Sequence, residues 1–155
     1  MSNKAVIIDG VRSPIGTKGS PMIGMRSDEI AGQVIKGLLD RNQELDVNLI
    51  EDVSLGCAFP EGPTGMLVAR GASILAGIPE TAAANVINRY CGSGLEAIHL
   101  ASARIHSGTA DCIIAGGTES MSLVPMLGYK TALNWKIAES HPEYYLSMGI
   151  TAEEI

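Results

Sequence analysis

Four short apolar runs, at residues 5–8, 52–55, 84–88 and 112–115, alternate along this chain with segments whose apolar side chains recur every three to four positions. Runs of that length bounded by Gly, Pro and Asp read as strands, and the longer period between them reads as helix. Strand–helix alternation implies a mostly parallel sheet covered by helices, an α/β fold. At 155 residues the chain has one ordinary domain's length, and 46% hydrophobic content with one Trp and one Phe makes its core aliphatic.

In chain order, residues 5–8 predict a buried first strand, closed by Asp9-Gly10 and followed by a turn-rich loop through Pro14 and Gly16. Ser27, followed by Asp28 and Glu29, predicts a helix start, with Ile30, Val34, Ile35, Leu38 and Leu39 as the buried stripe. After the second strand and Gly56-Cys57, Thr64 predicts the cap of a helix over 65–76 that stops at Gly77, with Pro79 beyond. The third strand leads to Cys91 and a helix ending near Gly108, and the fourth is closed by Gly116-Gly117. Past Ser122 the periodicity weakens. Thr151 with Glu154 has capping-box spacing, so a helix start is expected where the sequence stops, which suggests a fragment.

Composition excludes several functions. A net charge of −6 with scattered Lys and Arg gives no basic field for nucleic acid. No apolar stretch of about eighteen residues and no signal-peptide pattern is present, so membrane insertion and secretion are not expected. Three cysteines, Cys57, Cys91 and Cys112, lack paired or metal-type spacing, which fits reduced thiols in a cytoplasmic setting and gives zinc no ligand set.

The chemistry-bearing stretch is Asn88-Arg89-Tyr90-Cys91-Gly92-Ser93-Gly94-Leu95-Glu96-Ala97. Leu95, Ile98, Ala101 and Ile105 predict a helix that Cys91 precedes, and the unpaired N–H groups of a helix start favour a thiolate there. Gly92 and Gly94 leave the backbone open to close approach, and Ser93 offers a hydroxyl to the first turn. On this pattern an activated nucleophile and an inert buried thiol are equally open readings. Cys57, Cys91 and the Gly116-Gly117-Thr118-Glu119 turn all fall at carboxyl ends of strands, where α/β sheets gather functional groups. Glu119 reads as a capping or network carboxylate rather than an acid/base.

A thiolate nucleophile needs a base. His99 and His106 lie on the helix that Cys91 starts, roughly 12 and 22 Å along its axis at about 1.5 Å per residue, which excludes contact. His141 sits before a proline in the irregular segment and reads as solvated.

The Cys91 stretch resembles the active-site segment of thiolases. Val11-Arg12-Ser13-Pro14-Ile15-Gly16, Ala115-Gly116-Gly117-Thr118-Glu119-Ser120-Met121-Ser122 and Met148-Gly149-Ile150-Thr151-Ala152-Glu153 agree with that family in order and spacing, so the likeness covers essentially the whole chain. It implies the N-terminal βαβαβαβ half of a five-layered enzyme, with residues 1–122 as the α/β domain and 123–155 as the start of an inserted loop domain. It implies an acetyl-CoA acyltransferase or acetyltransferase that cleaves 3-ketoacyl-CoA thiolytically, or runs the reverse Claisen condensation, through an acyl thioester on Cys91. Coenzyme A would be a substrate rather than a bound cofactor, Met148 would line the acyl pocket, and base, acid and most coenzyme contacts would lie outside these residues. The chain alone is then expected to be inactive. The resemblance also implies a homodimer or homotetramer, with the strand at 85–90 against its twofold mate. Thr17 to Arg26 lacks an aromatic frequent in the family, and Ser147 stands where biosynthetic members often carry histidine, which favours a degradative enzyme. Two rivals remain: a ketoacyl-synthase relative, which the Cys-Gly-Ser-Gly-Leu and Gly-Gly-Thr-Glu-Ser-Met stretches oppose, and a non-catalytic assembly or lipid-carrier homologue.

Overall fold

The structure, a computed structural model, describes residues 4–155. Three strands, β1 (Asp52–Gly56), β2 (Ala83–Ile87) and β3 (Ile113–Gly117), form an all-parallel sheet in the order β2-β1-β3. Helices α1 (Ser27–Arg41) and α2 (Val68–Ala76) precede and follow β1, α3 (Ser93–His106) joins β2 to β3, and the short α4 (Trp135–Ser140) and α5 (Met148–Glu153) follow. The crossovers β1-α2-β2 and β2-α3-β3 run in opposite directions across the sheet, so right-handed connections put α2 and α3 on opposite faces.

The alternation of β1 divides the two faces. Val53 and Leu55 point into a core with Ala31 and Ile35 of α1 and Ala69, Ala72 and Ala76 of α2. Gly32 lets α1 and α2 close on each other: a Cβ there would lie 2.7 Å from that of Leu75. On the α3 side apolar burial is confined to alanines of the helix, and polar side chains bridge helix and sheet. Ser54 Oγ donates to Asn85 Oδ1 at 2.8 Å, Asn85 Nδ2 donates to Asp52 Oδ2 at 3.0 Å, and Arg104 of α3 donates to the same oxygen. At the other end of β1, Gly56 lies under the first turn of α3. The helix buries only small residues, Ser93, Ala97 and Ala101, and turns Leu95, Ile98 and Leu100 outward.

Residues 5–8 are not the buried strand that the sequence predicts. They carry no ladder bond, and Val6, Ile7 and Ile8 are 69%, 81% and 78% exposed. A strand needs an edge to pair with. The free edge of β3 faces an open groove of about 1840 Å³, and residues 5–8 form part of that groove's wall rather than joining the sheet. Three caps also differ. Arg26, not Ser27, occupies the N-cap position of α1, without a side-chain cap bond; Thr64 ends a 3₁₀ turn and bonds back to the carbonyls of Phe59 and Glu61; and Ser147, not Thr151, caps α5, its Oγ accepting the Ile150 N–H at 3.5 Å. The stop at Gly77 is as expected, in the left-handed conformation.

The approach at Gly56 is testable. A Cβ there would fall 2.3 Å from the carbonyl carbon of Ser93 and 2.4 Å from the Gly94 nitrogen. Gly56→Ala is expected to cost about 2–3 kcal/mol, while Gly37→Ala on α1, where nothing lies within 4 Å, should gain about 0.5–1 kcal/mol. Urea unfolding of both variants gives the comparison.

Candidate active site

The carboxyl ends of all three strands converge beside the groove. Cys57 follows β1 directly, Cys91 lies four residues beyond β2 and one before the Gly92 N-cap of α3, and Glu119 lies two residues beyond β3. Cys91 is exposed and Cys57 is 1% exposed, so the buried-thiol reading describes Cys57 and not Cys91. Cys57, Tyr90, Cys91, Glu119 and Met148 all line the groove.

The turn that presents Cys91 is held by side chains on both flanks. Asn88 Oδ1 accepts the Tyr90 N–H at 2.9 Å, an Asx-type closure. Ser93 Oγ accepts the Arg89 N–H at 2.8 Å and donates to the Tyr90 carbonyl at 2.5 Å, so it reaches back across the turn rather than forward into the helix as the sequence suggests. Between them Tyr90 has φ +46°, a left-handed conformation that costs a non-glycine residue on the order of 1 kcal/mol. The strained residue immediately precedes the cysteine.

Glu119 is the network carboxylate anticipated from its place at a strand end. Its Oε2 accepts the Ala58 N–H at 2.6 Å and its Oε1 accepts from the Cys57 thiol at 3.5 Å. Asn88 Nδ2 donates to the Ala58 carbonyl at 2.9 Å, and the rings of Phe59 and Tyr90 lie 6.2 Å apart. Burial, and next the Glu119 charge, push the Cys57 thiol from 9.0 up to about 11. Burial, and next Glu51, raise the Cys112 thiol as well. Among the described residues no histidine lines the groove. His106 Nδ1 bonds the Ser102 carbonyl within α3, His99 lies on the same helix, and the exposed His141 meets Ser140 Oγ. The Ala58 clamp escaped the sequence reading because Glu119 is sixty-one residues from Ala58.

Residues 5–155 match the family described as the thiolase N-terminal domain. The chain belongs to the thiolase family. It is 44% identical over 153 residues to a 3-ketoacyl-CoA thiolase of Bacillus subtilis (strain 168), a match covering 98% of this chain and 39% of that thiolase. A beta-ketoadipyl-CoA thiolase of Escherichia coli is 46% identical over 124 residues, covering 80% of this chain and 31% of its own length. A 3-ketoacyl-CoA thiolase of Shewanella baltica (strain OS155 / ATCC BAA-1091) is 43% identical over 154 residues, covering 97% and 39%. The matches thus span about a third to two fifths of the length of these thiolases. Among the described residues no helix is long and apolar enough to cross a membrane.

The raised Cys57 thiol sets a pH dependence. Below pH 9 the thiol is protonated in both folded and unfolded chains; between 9.0 and about 11 the unfolded thiol ionises while the folded one stays neutral, so folding stability falls across that window. Cys112 adds in the same sense. Cys57→Ala should therefore reduce the loss of stability above pH 9 without abolishing it, as read by urea midpoints measured from pH 8 to 11.

Proposed function

We propose that this chain carries the acyl-accepting cysteine of a thiolase that acts on 3-ketoacyl-CoA, and that Cys91 is that residue. The observation that supports it is the place of Cys91: an exposed thiol at the start of a fourteen-residue helix, opening on a groove that the strand ends also line. In the degradative direction the Cys91 thiolate adds to the 3-keto carbon and the bond to the α-carbon breaks. The electron pair stays on the α-carbon, which takes a proton to leave acetyl-CoA. The acyl group, held as a thioester on Sγ, then passes to the thiolate of coenzyme A, and the cysteine is returned. The names of the relatives support this substrate class.

Met148, 66% exposed and on the groove, would contact the acyl chain. The proton-transfer groups and most coenzyme A contacts fall to side chains other than this chain's histidines, none of which lines the groove. The division at residue 122 into an α/β domain and the start of a loop domain belongs to the same reading. So does a cytoplasmic, reducing setting, in keeping with three free thiols. Strand β2 is an outer strand with an unpaired edge, which suits pairing with a second copy in a homodimer or homotetramer. In the whole enzyme the outward Leu95, Ile98 and Leu100 of α3 would be covered by a further layer, since a helix apolar on both sides belongs in an interior.

Limiting iodoacetamide at neutral pH, followed by peptide mapping, is expected to modify Cys91 at least about tenfold faster than Cys112 and to leave Cys57 untouched. Equal labelling of Cys91 and Cys112 would overturn the nucleophile assignment. Thiolysis by the 155-residue chain alone should lie about a hundredfold or more below that of an intact thiolase, for want of positioned acid, base and oxyanion donors. Light scattering on the purified chain reads the association state, and a strict monomer would count against pairing through β2.

A further inference from the structure

We infer that Asn88 is a positioning residue for Cys91, one amide that fixes the nucleophile's turn and ties it to the loop after β1. The inference rests on Cys91 being the nucleophile.

The primary amide of Asn88 divides its two ends between two segments. Its oxygen accepts the N–H of Tyr90, the left-handed residue immediately before Cys91, and its nitrogen donates to the carbonyl of Ala58. The N–H of Ala58 is in turn held by Glu119 beyond β3. A continuous chain of hydrogen bonds therefore links the three strand ends to the backbone that aims the Cys91 thiol. An amide supplies an acceptor and a donor at once, which a carboxylate, a hydroxyl or an alkyl group in the same place does not do across both contacts. Ser93 secures the other flank through Arg89 N–H and the Tyr90 carbonyl, but it makes no bond to the loop after β1. Asn88 is exposed and is not among the core residues. Removing its amide therefore leaves core packing in place, and positioning is separable from folding.

The strain at Tyr90 gives the test its specificity. If Asn88 acts by holding Tyr90 at positive φ, a glycine at position 90, which reaches that conformation freely, should make the amide dispensable. If Asn88 acts only as general glue, glycine at 90 should not help.

The experiment measures second-order iodoacetamide alkylation of Cys91 as a function of pH in the 155-residue chain and in N88A, Y90G and N88A/Y90G, with Cys57 protection as the internal sign of an intact fold. N88A is expected to lower the Cys91 rate at neutral pH about tenfold, because the thiol drifts from the position in which the turn holds it. The double variant is expected to fall within about threefold of Y90G alone, a non-additive cycle. An N88A rate equal to that of the parent, a double variant as slow as N88A, or exposure of Cys57 in N88A would each overturn the inference, the last because Asn88 would then be a folding residue. The nucleophile reading fails by a separate result: Cys91 of the parent chain reacting no faster than a cysteine in a short unstructured peptide.

Discussion

The constraint on which the rest of this structure depends is the contact of backbone with backbone where α3 begins. Gly56 of β1 lies against the carbonyl of Ser93 and the nitrogen of Gly94, and a Cβ on Gly117 of β3 would sit 3.4 Å from the Gly94 Cα. With no side chain between them, the helix start is drawn down onto the ends of two strands. Cys91, two residues before the helix, is thereby fixed at the carboxyl edge of the sheet. A side chain at Gly56 would lift the helix and carry the cysteine with it.

From that contact the division of labour across the sheet follows. The face toward α1 and α2 is closely packed and apolar, from Val53 and Leu55 to Ala69 and Ala72, and supplies the core. The face toward α3 limits apolar packing to the small Ala97 and Ala101, with the Asp52, Ser54, Asn85 and Arg104 network at one end and bare glycine at the other. Such a face orients a helix more than it drives burial. The same economy appears at the turn, where Asn88 and Ser93 hold Tyr90 in a conformation the chain would otherwise leave.

The parts legible in the sequence were those set by local pattern. The runs at 52–55, 84–88 and 112–115 became β1, β2 and β3 within about two residues, and the stripe after Cys91 became α3. The Gly77 stop needed only glycine's freedom at positive φ. Residues 5–8 have a strand's composition, but pairing is a property of two segments: β3 offers a free edge on the groove, and these residues line the groove without bonding to that edge. The caps expected at Thr64 and Thr151 differ because a hydroxyl can bond forward or backward, and both bond backward, Thr64 to the carbonyls of Phe59 and Glu61 and Thr151 to that of Ser147; Ser27 already lies inside α1, its buried Oγ without a partner among the described residues. At the site, the cysteine and the helix behind it were readable, and so was Glu119 as a network carboxylate. The bond from Glu119 to Ala58 and the double role of Asn88 join segments that only the folded sheet brings together.

The most direct measurement of the central claim is acyl transfer to the chain itself. The protein would be incubated with an acyl-CoA at neutral pH and followed by intact mass and peptide mapping, with hydroxylamine to release thioesters. The account predicts a single hydroxylamine-labile acyl group on Cys91, absent from Cys91→Ser. Acylation spread over Cys91 and Cys112, or an adduct that survives in Cys91→Ser, would contradict it.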